Sequence, residues 1–467
     1  MTARRIIAIS DLHIGGEEHP MLGHPEYLTD FLGQLTAYRP PEGEELELVI
    51  HGDFIDFLAE PPYAAWTQDE AAALTKFAGV SRRFNELFDG FASYSQAGHR
   101  LTILLGNHDV ELALPKVREA LFRRLGTDPH CCHFVMNNEA YRIGDLLIEH
   151  GNRYDSWNAV NYDQLRQIVS SLSRGETAPR LLEVCPGSRL VEEVMNPLKE
   201  RYHFIDLLKP ETKVVVLLLT AIEPALKYDL KKIFSAAMAY TQQWRTNRPW
   251  QPQAPSGPKR AQLVTGGPAL EEMPEDLRQA FHEELIPLDA SLYPVTTHEP
   301  LRKLFATLRP DSLRARLERG ESVEEKQLNR IQVALRHALE SDRTFELDEP
   351  DGPYHAAAER MIVAGMAKVV VMGHTHLARD CVKNGMGYLN TGTWADLIQI
   401  PQECLQGSPE CLRQLECWLK SLVLDELDSL RTTRPTYADV TLDCDGHLVT
   451  DGRRRLLRSL TDGKVAE

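Results

Sequence analysis

Long apolar runs are missing from this sequence. The longest, Val214 to Ile222, is far shorter than the ~20 residues that a membrane span requires, so it reads as a buried helix or strand and no transmembrane segment is expected. Positive charge is also in deficit: 52 Lys and Arg against 68 Asp and Glu leave a net charge of −16. An acidic surface repels nucleic-acid phosphates and anionic lipid unless basic groups gather in one patch. This weighs against dedicated DNA binding and leaves room only for a local groove. Cysteine is sparse, with 8 residues scattered along 467, which does not form a disulfide framework. The opening Met1 to Ile9 carries Arg4 and Arg5, but its apolar stretch is too short for a signal peptide. A cytoplasmic protein is expected.

What is present is ample core material, with 43% hydrophobic residues, and a recurring pattern. Short β-branched apolar runs end abruptly in polar residues: Ile6–Ser10 before Asp11, Leu46–Ile50 before His51-Gly52-Asp53, and Leu101–Leu105 before Gly106-Asn107-His108-Asp109. Leu146–Ile148 precedes His150-Gly151, Val369–Met372 precedes Gly373-His374-Thr375-His376, and Tyr388-Leu389 precedes Asn390-Thr391-Gly392-Thr393. Such runs read as buried strands. Thr67–Gly98 and Val117–Leu125 read as helices between them. Alternating strands and helices imply a layered α/β core, with sites at the C-terminal strand ends.

Between Tyr154 and Gly352 the pattern turns helical, with amphipathic runs at Tyr162–Ser173, Lys227–Trp244, Pro300–Leu317 and Val323–Leu339, broken by a Pro-rich loop at Trp250–Pro258. The polar clusters on either side complement each other chemically. The expected organisation is therefore one α/β core, built from 1–155 and 361–467, with a large mainly helical insertion at 156–360. A helix at Ser408–Leu430 and a hairpin of Thr436–Leu442 with His447–Thr450 around Asp443-Cys444-Asp445-Gly446 complete the chain.

The strand-end residues Asp11, His13, Asp53, Asn107, His150, His374 and His376 combine imidazole, carboxylate and amide oxygen. That mixture suits borderline divalent metals such as Mn²⁺, Fe²⁺ or Zn²⁺. Asp-x-His and His-x-His put both side chains on one side of an extended segment. A pair of cations ~3.5–4 Å apart needs a bridging ligand, and a carboxylate supplies two oxygens and negative charge. Asp53, on a central strand, is the expected bridge. Asp56 is expected to orient a ligand or strand end rather than bind metal.

In order and wording, Asp11-Leu12-His13, Gly52-Asp53-x-x-Asp56, Gly106-Asn107-His108-Asp109, His150-Gly151 and Gly373-His374-Thr375-His376 closely resemble the motifs of the calcineurin-like metallophosphoesterases. The resemblance implies a four-layer αββα sandwich holding two divalent metal ions, Mn²⁺ first. It implies Asp11, His13, Asp53 and His376 on one ion, and Asp53, Asn107, His150 and His374 on the other. It implies attack on a phosphomonoester, phosphodiester or pyrophosphate by a metal-bridging hydroxide. His108 would protonate the leaving oxygen or stabilise the transition state, and Asp109 would orient His108.

The short gap from Asn107 to His150 resembles the branch containing UDP-2,3-diacylglucosamine hydrolase, although this chain has His108 where that enzyme carries Arg, and a longer insertion. The expected partner is a phosphorylated small molecule or nucleotide. Arg153 and Asn152, just after a ligand, are candidate substrate-binding residues, Arg153 through a substrate phosphate or else a surface salt bridge. The insertion leaves the rim of the site here, as a substrate-restricting cap would. A metal-dependent nuclease and a non-catalytic scaffold are the alternatives. His130-Cys131-Cys132-His133 alternates sides on a strand and is not expected to share one ion.

Overall fold

The computed structural model describes residues 2–17, 19–126, 132–223, 312–340, 342–449 and 456–460. Two compact units emerge: Met1–Ser188 with Phe345–Asp396 and Thr433–Glu467, and Arg189–Thr344 with Leu397–Thr432. The boundaries expected at 155/156 and 360/361 differ from those between the two units, which fall at 188/189 and 344/345, with 397–432 belonging to the second unit.

Along the chain the strands are β1 (Ala3–Ile9), β2 (Glu44–His51), β3 (Arg100–Leu104), β4 (Cys132–Val135), β5 (Tyr141–Ile143), β6 (Leu146–Ile148) and β7 (Leu208–Lys209). There follow β8 (Val369–Met372), β9 (Ala378–Lys383), β10 (Met386–Thr391), β11 (Leu397–Gln399), β12 (Arg431–Thr432), β13 (Thr436–Leu442) and β14 (Leu457–Ser459). In the first unit one sheet has the order β14-β13-β1-β2-β3-β4 and the other β5-β6-β8-β10-β9. Strands β1 to β4 run parallel, as do β6, β8 and β10, so their C-terminal ends point the same way within each sheet.

Strand alternation builds the layers. Ile7, Ile9, Leu48, Ile50, Leu101 and Ile103 face one way and join Leu28, Phe31, Phe77, Phe88, Phe91, Val117 and Leu121 from the helices Pro25–Ala37, Glu70–Arg83, Asn85–Gln96 and Pro115–Arg124. Ile6, Ala8, Val49 and Leu104 face the other way and pack on Leu146, Ile148, Val369, Val371 and Leu389 of the second sheet. The outer face of that sheet, Leu147, Val370, Met372 and Tyr388, takes Ala357 and Ala358 of helix Pro353–Val363. The order is helix, sheet, sheet, helix: the αββα sandwich expected from the motifs. Beyond their first residues β1, β2 and β3 are buried on both faces, as are β6 and β8 throughout, which is why these strands read as continuous apolar runs.

Helix Tyr162–Leu172, expected within the insertion, packs Tyr162, Leu165, Ile168 and Val169 into the helical layer's core, as its i, i+3, i+6, i+7 spacing allows. Strand β13 pairs with β1 and β14, but the second arm of the expected hairpin shrinks to one bridge, Leu442↔Leu448. The Asp443 carboxylate accepts from the Asp445 and His447 amides and shapes the turn instead.

In the second unit, the run Val214–Ile222 lies in helix Glu211–Ile222, with Val214, Leu218 and Ile222 buried. Helices Leu313–Glu318, Glu325–Ala338 and Pro409–Val423 are joined by a small sheet, β12-β11-β7, which the sequence reading did not contain. The expected helix Lys227–Trp244, the Pro-rich loop, and residues 130 and 131 lie outside the described residues. Among the described residues the cysteines are free and no helix is long and apolar enough to cross a membrane.

Candidate metal centre

Five parallel strands of the sandwich release the chain into short loops carrying polar side chains: Asp11 and His13 after β1, Asp53 after β2, Asn107 after β3, His150 after β6, and His374 and His376 after β8. Asp11, His13, Asp53, His374 and His376 have φ of 53°, 45°, 50°, 70° and 61°. The extended i, i+2 geometry expected for Asp-x-His and His-x-His is therefore replaced by left-handed turns. The strand has ended before these residues, and the chain folds back so that both side chains enter one space. Such a conformation costs a non-glycine residue about 1–3 kcal/mol and concentrates at functional sites. Backbone bonds hold it in place: the Leu12 and His13 amides donate to the Asp53 carbonyl at 2.9 and 3.0 Å, and the Gly373 amide to the His150 carbonyl at 2.9 Å.

The side chains converge in two overlapping donor groups. Asp11, His13 and His376 place ligand atoms within 4.8 Å of one another, as do Asp53, His150 and His374. His13 Nε2 lies 2.9 Å from His376 Nε2, and His376 Nε2 lies 3.5 Å from Asp11 Oδ1. On the other side His150 Nε2 is 3.2 Å from Asp53 Oδ2 and 3.3 Å from Asn107 Oδ1. Asp53 Oδ2 also stands 3.7 Å from His13 Nε2 in the first group. One carboxylate thus sits between two sets of nitrogen and oxygen donors. All seven residues expected as ligands lie at this site, and their chemistry fits divalent cations of the Mn, Fe or Zn type.

His108 adjoins the cluster: with His13 and Asp53 it forms a third close donor group, and its ring lies edge-on to His13 at 4.7 Å. Its Nδ1 lies 3.1 Å from Asp56 Oδ1, which assigns the orienting carboxylate to Asp56 in place of Asp109. Asp109 is fully buried, and its two oxygens accept the Phe54 and Gly106 amides at 2.8 and 2.7 Å. It ties the β2 and β3 loops together. Sequence adjacency to His108 misled because Asp109 turns inward while His108 turns toward the site. Asp56 Oδ2 also meets His13 Nδ1 at 3.2 Å, which matches the role expected of it.

Burial raises carboxyl pKa values, and at this site the imidazoles decide which carboxylates resist it. Against burial, His150 and His108 hold Asp53 well below the usual range, and His108 and His13 do the same for Asp56. Asp11 stays raised by burial, with the Asp53 charge adding to it despite His150. Asp109 is pushed up to about 7 by burial and Asp53. His150 rises to about 9, since the Asp53 charge overcomes the downward pull of burial.

Of the two candidate substrate residues, Asn152 is buried and donates from Nδ2 to the Asn158 carbonyl at 2.9 Å, while Arg153 pairs with Glu149 at 3.5 Å. Asn390 donates to the Gly373 carbonyl at 2.8 Å and to Thr375 Oγ1 at 3.1 Å, supporting the His374 loop. Sequence reasoning missed Asp155, whose Oδ2 lies 3.3 Å from His374 Nε2, and Asp351, whose Oδ2 accepts from Tyr388 and Thr375 at 3.1 and 3.4 Å.

Residues 4–208 match the family model of the calcineurin-like phosphoesterases. Over those residues the chain is similar to that family. The matched stretch includes Asp11, His13, Asp53, Asn107, His108 and His150; the fold brings His374 and His376 to them from beyond it. No curated protein matched the chain.

Proposed function

We propose that this chain is a binuclear metal-dependent phosphohydrolase that cleaves a phosphomonoester, phosphodiester or pyrophosphate bond in a small phosphorylated or nucleotide substrate. The observation that supports it most is the position of Asp53, between the Asp11, His13 and His376 donors and the Asn107, His150 and His374 donors. Two cations held by these residues would supply Lewis acidity, polarising a phosphoryl group and lowering the pKa of water. Mn²⁺ is the first choice for both positions, with Fe²⁺ and Zn²⁺ next.

His108 gives its proton to the leaving oxygen. Asp56 holds its Nδ1, so the Nε2 side of the ring serves the substrate. Arg153, partly exposed beside Glu149, is the cation this loop offers to a substrate phosphate. Net charge of −16 places nucleic acid behind small substrates.

The test is a Mn²⁺-supplemented panel of bis-p-nitrophenyl phosphate, p-nitrophenyl phosphate, nucleotides, and single- and double-stranded DNA. Asp53→Ala is expected to abolish turnover together with metal uptake. His108→Ala is expected to retain metal and lose roughly 10²–10⁴-fold in kcat. DNA cleavage with steeply salt-dependent binding favours the nuclease alternative. Failure to turn over any substrate favours the scaffold.

A further inference from the structure

In two histidines of this centre, His13 and His150, the ring nitrogen turned away from the donor cluster is held by an acceptor. His13 Nδ1 faces Asp56 at 3.2 Å, and His150 Nδ1 faces the His51 carbonyl at 3.0 Å. A carbonyl oxygen only accepts, so His150 Nδ1 carries a proton and Nε2 is the nitrogen left for a cation. In both rings the nitrogen turned to the donor cluster is Nε2. His374 is held the other way round: its Nε2 faces Asp155 Oδ2 at 3.3 Å. A proton shared with that carboxylate leaves the lone pair on Nδ1.

Asp155 is itself anchored. Its Oδ1 accepts the Trp157 amide at 2.8 Å, and its Oδ2 accepts Asn158 Nδ2 at 2.7 Å. The Asn158 carbonyl in turn accepts Asn152 Nδ2 at 2.9 Å. The segment that begins with the ligand His150 therefore folds back on itself through Asn152 and Asn158. It then presents a fixed carboxylate to a second histidine that is distant in sequence. Asp155 is 15% exposed on its side chain and His374 7%, so little water competes for the contact.

We propose that Asp155 is a positioning residue of the second cation group, fixing the His374 tautomer with Nδ1 as its donor nitrogen. A carboxylate behind a histidine ligand raises its basicity and locks its orientation, and removing such a partner costs about 10–100-fold in metal affinity. The inference rests on the reading that His374 holds a cation.

Full-length chain is stripped with a chelator and titrated with Mn²⁺, following uptake by calorimetry and the paired-ion signal by electron paramagnetic resonance. Asp155→Ala is expected to weaken one Mn²⁺ equivalent by about 10–100-fold and spare the other. Asp155→Asn, which keeps an acceptor oxygen but no charge, is expected at the low end of that range and carries the test if the alanine variant does not fold. Asn158→Ala removes one anchor of Asp155 but leaves the carboxylate and its bond from the Trp157 amide, and is expected to weaken uptake by much less than Asp155→Ala. If Asn158→Ala and Asp155→Ala weaken uptake equally, the role is loop structure and the proposal falls. If His374→Ala loses an equivalent while both Asp155 variants keep two at wild-type affinity, the proposal falls alone. If the wild type takes up fewer than two, the binuclear reading falls and takes Asp155 with it.

Discussion

Asp56 presents one carboxylate oxygen to each of two histidines: Oδ1 lies 3.1 Å from His108 Nδ1 and Oδ2 3.2 Å from His13 Nδ1. Oδ1 further accepts the Leu58 and Ala59 amides at 3.1 Å, so the short helix after β2 fixes its direction. One side chain thereby orients both a candidate ligand and the candidate acid.

Asp56→Asn should therefore damage two properties together. The amide keeps an oxygen for the helix amides but loses the charge that holds both imidazoles. The expected result is roughly a 10–100-fold loss in kcat accompanied by weaker Mn²⁺ uptake. Asp109→Asn, which acts on the Phe54 and Gly106 amides, should lower thermal stability and leave Mn²⁺ uptake near wild type. Steady-state kinetics alongside a Mn²⁺ titration separate the two. A kcat loss in Asp109→Asn larger than that in Asp56→Asn would return the orienting role to Asp109.

Gly106 supports a second expectation. A Cβ at this position would run into the Asp53 carboxylate and its backbone nitrogen. Gly106→Ala must push Asp53 aside, and Mn²⁺ uptake should fall at least about 10-fold, the range seen when a ligand loses its support, while circular dichroism remains that of the wild type. Gly33, in helix Pro25–Ala37 with nothing within 4 Å of an added Cβ, is the control. Gly33→Ala should stabilise by about 0.5–1 kcal/mol without touching metal uptake. Undiminished uptake in Gly106→Ala would mean that Asp53 tolerates displacement and does not hold cations tightly.

The strands and candidate ligands were legible because each depends on local pattern. Continuous apolar runs such as Ile6–Ile9 and Val369–Met372 mark strands buried on both faces, and the polar residues after them mark the strand ends. The orienting groups were not legible. Asp155 reaches His374 only after the loop from Gly151 to Asn158 folds back, and Asp351 reaches Thr375 through a return of the chain from the second unit. No spacing rule encodes such contacts. The left-handed backbone at Asp11, His13, Asp53, His374 and His376 was also hidden: aspartate and histidine are enriched in that region but adopt it at only a small share of positions, so their presence does not mark it. Asp109 shows the reverse failure: neighbours in sequence leave a turn in different directions.

Glu111 yields the last expectation, on stability and pH. It is buried at 2% exposure and accepts the Thr67 amide at 2.9 Å. Burial, partly offset by the Lys76 charge, pushes its carboxyl from 4.5 to about 7. A carboxyl whose folded pKa exceeds its unfolded one favours folding while protonated. Its contribution is full below 4.5 and is lost as pH rises through about 7. Glu111→Gln keeps an oxygen for Thr67 and never ionises. In chelator-containing buffer, the two chains should show a constant gap in unfolding free energy below pH 4.5. Above pH 7 the gap should widen in favour of glutamine by up to about 3 kcal/mol, at ~1.4 kcal/mol per pH unit across that window. A gap that stays flat from pH 4 to 8 would show that Lys76 stabilises the ionised form as fully as water does. A gap that reverses would show that Glu111 and Lys76 form a net stabilising ion pair.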